Sequence, residues 1–219
     1  MTPQETERGG ASSGNIKATR EDWTNAALET LIVDGIERVK ILSLAAQLNV
    51  SRSSFYWYFT SRNDLLEALL DHWHETNTAA IVTAAQRPVP TITSAVCQIF
   101  ECFLDPALFN NRLDFAIRDW SRRDENVRRK LLASDAERIK ALTEMFVRYG
   151  YAPTEALIRA RVLYYMQIGY FDAGLDEPIS QRQSFTADYV LTFTGQRPTA
   201  AEIAQLDAAL ARIFPDASA

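Results

Sequence analysis

From Trp23 to Phe214 the apolar residues of this chain recur three and four positions apart, the spacing of an α-helix, and they almost nowhere alternate as a half-buried strand requires. Helical runs read from Thr91 to Leu104, Asn111 to Arg123, Glu125 to Tyr149, Pro153 to Ala173, Gln181 to Thr194 and Thr199 to Phe214. Gly150, Pro153, Gly174, Pro178, Gly195 and Pro198 punctuate them. Closer to the N-terminus, Thr19 with Asp22 makes a capping box for a helix carrying Trp23, Ala27, Leu28, Leu31 and Ile32, which Gly35 ends. Two short segments follow, Ile41 to Leu48 and Arg52 to Phe59. Ser61 with Asp64 makes a second capping box, opening a long helix that Pro88 and Pro90 close, and Thr199 with Glu202 makes a third. The pattern predicts an all-α fold of about ten helices. Residues 1–18, rich in Gly, Ser, Thr and Glu, read as a flexible arm, residues 19–65 as a helix-turn-helix unit, and residues 66–219 as a larger helical domain reached through the long helix.

Charge is unevenly placed. The chain carries a net charge of -5, which taken alone argues against a nucleic-acid partner. Yet between Arg38 and Asn63 the cations Arg38, Lys40, Arg52 and Arg62 occur without one Asp or Glu. An acid-free stretch in an acidic protein is the footprint expected where phosphates approach.

Within that stretch, LSLAAQLNVSRSSFYWYF has the spacing two short helices need to cross around a sharp turn. Leu44, Leu48, Val50 and Phe55 are apolar where the helices share a core, and Ala45 is small where the second helix crosses closest. Asn49 stands where positive φ is needed, and Ser51 is a suitable N-cap. With Phe55 inward, the outer face presents Arg52, Ser53, Ser54, Tyr56 and Trp57, with Tyr58 and Arg62 beside them. Exposed aromatics without an acid are costly unless a partner covers them. Arg and Ser can read base edges, aromatic carbons can pack on a thymine methyl, and tyrosine hydroxyls can bond phosphate oxygens.

The stretch LAAQLNVSRSSFYWYFTSRNDLLEAL resembles the DNA-binding signature of the tetracycline-repressor (TetR) family, and Thr19 to Leu70 is similar to that family's four-helix reader in helix order and length. The resemblance implies that Tyr56 and Tyr58 grip phosphates, that Arg62 adds a phosphate contact and that Lys40 lies near the backbone. It places Arg52, Ser53, Ser54 and Trp57 against bases. Asn49 stands where the family usually has Gly, Ser53 where Gly is frequent, and Tyr58 where His is common, so the operator sequence is not readable from this segment. The implied protein is a transcription regulator, usually a repressor that leaves a palindromic double-stranded operator when a small-molecule effector binds.

In ALIRARVLYYMQIGYFDAG only Gln167 and Gly169 interrupt the apolar run from Val162 to Phe171, so this helix needs cover on all sides. One side can meet the core of its own domain and the other needs a second chain or a ligand; the competing reading is a helix fully buried inside one monomer. The family's last two long helices pair as a four-helix bundle in a homodimer, with Gly169 permitting close approach here. Phe115, Trp120, Tyr164, Tyr165 and Tyr170 are candidates to line an effector cavity, with Gln167 as its polar contact.

Other classes fare worse. His72 and His74 are two apart, a poor metal spacing. No phosphate loop, nucleophile elbow or zinc-type cysteine spacing occurs, so neither enzyme, metal nor cofactor is expected. Cys97 and Cys102 fall on different faces of one helix and read as buried thiols. With no long apolar run and no leader pattern, the expected location is the cytoplasm, away from membranes. The competing reading is a helical protein-protein adaptor that keeps the fold without binding DNA.

Overall fold

The computed structural model describes residues 18–175 and 177–215 of the 219. Most of the expected N-terminal arm, residues 1–17, lies outside them; Ala18 is buried. Among the described residues there are helices and no strand. α1 (Arg20–Asp34) is held at its start by a reciprocal box: Asp22 N–H donates to Thr19 Oγ1 at 3.1 Å and Thr19 N–H to Asp22 Oδ2 at 2.7 Å. It stops at Gly35, φ 80°. A 3₁₀ turn (Ile36–Arg38) leads to α2 (Ile41–Gln47), and the chain turns through Asn49 at φ 54°, as the sequence predicts, into α3 (Arg52–Phe55).

α3 is shorter than the expected Arg52–Phe59. The N–H groups of Tyr56, Trp57 and Tyr58 bond three residues back, to Ser53, Ser54 and Phe55, which tightens the last turn. That tightening returns Phe59 beneath Phe55, their rings stacked at 5.3 Å. Ser51 occupies the N-cap of α3, yet its hydroxyl makes no cap bond and pairs with Ser53 Oγ at 2.8 Å. Ser61 does cap α4 (Arg62–Trp73), but the box is not reciprocal: the Asp64 carboxylate accepts from the Thr60 N–H and hydroxyl instead.

α4 runs on through a π-helical segment (His74–Thr78) into α5 (Ala79–Gln86), forming one interrupted rod. Six helices complete the fold: α6 (Ile92–Leu104), α7 (Asn111–Ser121), α8 (Glu125–Arg148), α9 (Pro153–Asp172), α10 (Ile179–Thr194) and α11 (Ala200–Ile213). With the rod counted once, the described residues hold ten α-helical elements, against about ten expected.

Two apolar cores result. The first is built on Trp23, Leu44, Phe55 and Phe59, and the expected boundary at residue 65 falls inside α4 rather than at its edge. This core continues through Leu113, Ile117 and Trp120 of α7 and Val127 and Leu131 of α8. The second joins α5, α6 and α8–α11 around Phe100, Phe103, Leu142, Phe146 and Leu163. α9 buries Ala160, Leu163 and Tyr164 but leaves Ile158, Val162 and Tyr165 about half exposed, at 52%, 50% and 47%. A helix covered on all sides by its own chain is therefore not what forms; one apolar face is left uncovered.

Candidate nucleic-acid interface and effector cleft

Phe55 seats the reading face. It is fully buried, edge-on to Trp23 at 5.1 Å and stacked on Phe59, so α3 is pinned by rings from both sides. The residues opposite point outward: Arg52 and Ser53 are exposed, as are Tyr56 (49%) and Trp57 (65%), with Tyr58 half-buried. Arg52 Nη2 donates to Tyr56 Oη at 3.2 Å, which orients both side chains on one face. Lys40, at the N-cap of α2, is exposed nearby in sequence.

Two expected contact residues sit differently. Ser54 is 7% exposed and its hydroxyl donates to the Ser51 carbonyl at 2.8 Å, so it stabilises the start of α3 instead of facing outward. Arg62 folds back: Nε donates to the Val39 carbonyl at 2.6 Å and Nη2 to the Ile36 carbonyl at 2.9 Å. Its guanidinium thus satisfies the Val39 carbonyl and adds a second donor to the Ile36 carbonyl, which already accepts from the Val39 N–H at 3.2 Å. Arg62 fixes the turn that presents Lys40, and a direct phosphate contact would require giving up these bonds.

A buried polar set missed by the sequence reading lies where the rod meets the larger domain. Trp73 Nε1 donates to Asp114 Oδ1 at 2.8 Å, and Arg138 Nη1 donates to the same oxygen at 2.9 Å. Arg118 Nε reaches Asp114 Oδ2 at 2.9 Å, and its two terminal nitrogens take Asp135 at 2.8 and 3.2 Å. The Tyr164 hydroxyl donates to Asp135 at 2.7 Å and accepts from Arg118 and Arg138 at 2.9 and 3.0 Å. Arg138 Nε also donates to Thr78 Oγ1 in the π segment, and the cation stacks over Trp73 at 5.0 Å. Two carboxylates face two guanidiniums, so the set is neutral. Burial pushes the Asp114 carboxyl up, but Arg138, Arg118 and the Trp73 donor outweigh it and hold it below the ordinary carboxylate value. Asp114 and Arg118 were visible as an i,i+4 pair; their partners come from three other elements, and spacing gives no sign of them.

The candidate effector residues scatter. Trp120 is buried in the reader-side core, and Phe115 lies in a groove between α1 and α7. The Tyr164 hydroxyl is taken by the ionic set, and the Tyr165 ring faces outward beside α8. Only Gln167 and Tyr170 share a cleft, between α6, α9, α10 and α11. Phe100, Leu104, Met166, Leu206 and Leu210 form its apolar wall, and Arg182 and Tyr189 add α10. Tyr170 donates to Glu177, and burial followed by that bond pushes its hydroxyl up to about 12. Cys97 and Cys102 are buried thiols, each raised to about 12 chiefly by burial. Among the described residues no cluster of metal-ligating side chains forms; His74 pairs with Glu137 at 2.9 Å.

A helix-turn-helix unit set on a helical body by a continuous rod defines an all-α protein of the helix-turn-helix class. Residues 24–69 match the family of bacterial regulatory proteins, tetR family. The match lies within the N-terminal part of the chain, over α1 to α4, and the chain spans less than a third of the length of the curated relatives it matches. Over 59 residues, 27% of the chain, it is 34% identical to the HTH-type transcriptional regulator TtgR of Pseudomonas putida, of which the match spans 28%. Similar solved structures include Salmonella enterica GusR, with 16% identity, TM-score 0.57, and coverage of 94% of this chain and 100% of that one. Mycobacterium smegmatis AmtR has 18% identity and TM-score 0.57, covering 93% and 97%. At these identities the two structures speak to the fold alone. No helix among the described residues is long and apolar enough to cross a membrane.

Proposed function

We propose that this chain is a sequence-specific transcription regulator of the cytoplasm, not an enzyme, which binds a palindromic operator as a homodimer and leaves it when a small molecule binds. The outer face of α3 carries the proposal: Arg52, Ser53, Tyr56 and Trp57 are exposed and acid-free above a ring-locked Phe55. In this reading Arg52, Ser53 and Trp57 meet base edges. In the same reading Tyr56, Tyr58 and Lys40 take phosphate oxygens, with Ser54 and Arg62 shaping their support.

The uncovered apolar face of α9, with Ile158, Val162 and Tyr165 at helical spacing, supports pairing with a second copy; Phe185 on α10 is also exposed. Nothing lies within 4 Å of where a Gly169 side chain would begin, which leaves the backbone open to a close neighbour. A two-fold dimer suits two half-sites a helical turn or more apart. Effector binding in the helical body would tilt the rod and change the separation of the two α3 helices.

Retardation of the DNA upstream of the chain's own coding sequence, titrated with salt, tests the reading. Binding that weakens steeply as salt rises, with Arg52→Ala relaxing preference at one or two base pairs, is the expected result. No salt-dependent retardation would leave the adaptor reading in its place.

A further inference from the structure

We infer that the cleft between α6, α9, α10 and α11 takes an apolar carboxylate. This deepens the proposed function, since it names the chemistry of the effector, and it rests on the reading of the chain as an effector-responsive regulator. The wall is apolar, from Phe100, Leu104, Met166, Leu206 and Leu210, and it offers ring faces from Tyr170 and Tyr189. Such a surface selects a hydrophobic body. Two polar side chains within it keep hydrogen-bonding capacity unused. Gln167 is 8% exposed and makes no hydrogen bond among the described residues, so its amide lines an apolar cleft with its donors and acceptor free.

Arg182 decides the charge. It is the one charged residue of the described lining and has no ion pair among the described residues. Its guanidinium is held in place from two sides, with Nη2 donating to the Leu175 carbonyl at 3.0 Å and the cation lying over the Tyr170 ring at 5.3 Å. Nε is buried and has no acceptor. Leaving such a donor unpaired is costly, and a carboxylate relieves both the donor and the charge in one contact. Two acids beside the lining residues are already engaged: Glu177 accepts from Tyr170, and Asp207 accepts from Gln183 at 3.2 Å. A cationic ligand would meet Arg182 with no carboxylate in the described lining to offset it.

Three probes with one ring system and different heads separate the possibilities: 2-naphthoate, 2-naphthalenemethanol and 2-naphthylmethylammonium, titrated by calorimetry into the full chain without DNA. Naphthoate is expected to bind about tenfold more tightly than the alcohol, the ammonium more weakly than either. Arg182→Gln should bring naphthoate down to the alcohol's affinity and leave the alcohol unchanged, which also shows that the variant is folded. Equal binding of the three heads, binding of none, or a naphthoate preference surviving Arg182→Gln would each overturn the inference. DNA plays no part in the readout, so failure of the operator reading and failure of this ligand class are told apart.

Discussion

Replacing Arg138 with methionine tests whether the buried ionic set holds the rod to the body. The variant keeps a long unbranched side chain but leaves Asp114 and Asp135 facing Arg118 alone. The Asp114 oxygen loses a donor at 2.9 Å, and Thr78 and Tyr164 lose contacts at 3.0 Å each. Removing one partner of a buried pair costs about 3–5 kcal/mol, because the remaining charge stays buried without compensation. Against a typical domain stability of about 5–15 kcal/mol this is a large fraction. The pH dependence gives a second handle. In the wild type the folded-state pKa of Asp114 is depressed, so its contribution is present above the unfolded value of about 3.9 and is lost as pH falls through the depressed one. The variant lacks the Arg138 contribution that opposes burial, so that pKa moves upward and the pH-dependent part of the contribution shrinks. The gap between the two proteins is therefore widest at neutral pH and narrows below about pH 4. Urea unfolding followed by tryptophan fluorescence, at one fixed protein concentration, reads this directly. A loss under about 1 kcal/mol at pH 7, or an equal loss at pH 7 and below pH 4, would refute the account.

Lys40→Ala should flatten the salt dependence of DNA binding by about one unit. Arg62→Ala should instead lower unfolding stability by about 1–3 kcal/mol through the orphaned Val39 carbonyl and the lost charged donor to Ile36, with the salt slope unchanged; both are read by retardation and urea titration. Cys97 and Cys102, as neutral buried thiols raised to about 12, should resist a chromogenic disulfide reagent at pH 8 and react promptly once urea unfolds the chain. Burial raises the Glu202 carboxyl, but hydrogen bonds from Thr91, Thr199, Thr93 and Ser94 outweigh that and bring it to about 2. Glu202→Gln should therefore cost about 1–2 kcal/mol at pH 7, and the difference should fade as pH falls from about 4.3 toward that value, measured by thermal unfolding.

What could be read from the sequence was mostly local. The Thr19 and Thr199 boxes need only residues three apart, and both close as expected. Asn49 declares its own conformation because few other residues accept it. Local reading fails where a neighbour competes: Thr60, one residue outside the expected Ser61 box, takes the Asp64 carboxylate. It fails again where a long side chain reaches back across the fold, as Arg62 does to carbonyls 23 and 26 residues earlier. A cation in an acid-free stretch suggests phosphate, but charge patterning cannot show that its donors are already engaged. Ser54 was lost to the same blindness, since a four-residue helix has too little length to mark which of its sides is outward. The cleft was half legible: Gln167 stood out as polar within an apolar run, whereas Arg182 drew no notice because a surface arginine is common and its position over Tyr170 depends on how α9 and α10 pack.

The placement of these parts bears on how a ligand could act at a distance. Tyr164 and Gln167 are three residues apart on α9, neighbours on one side of the helix, with one in the ionic set and the other in the cleft. The ionic set in turn holds Trp73 at the end of α4 and Thr78 in the π segment, where the backbone hydrogen-bond ladder is already irregular. From there the reader core is continuous through α7, so α1 to α4 and α7 share one packed interior. A ligand that displaced α9 at Gln167 would therefore act next to the Tyr164 hydroxyl, and through it on the ion pairs at the base of the rod. Driving a regulator from 1% to 99% in its released state takes a differential binding energy of about 5.5 kcal/mol. Leaving one buried charge of such a set wholly without its partner costs about 3–5 kcal/mol, an upper bound for a rearrangement that keeps both partners. The second figure falls short of the first, so rearrangement of this set would supply a large part of such a shift and contacts elsewhere would have to supply the rest.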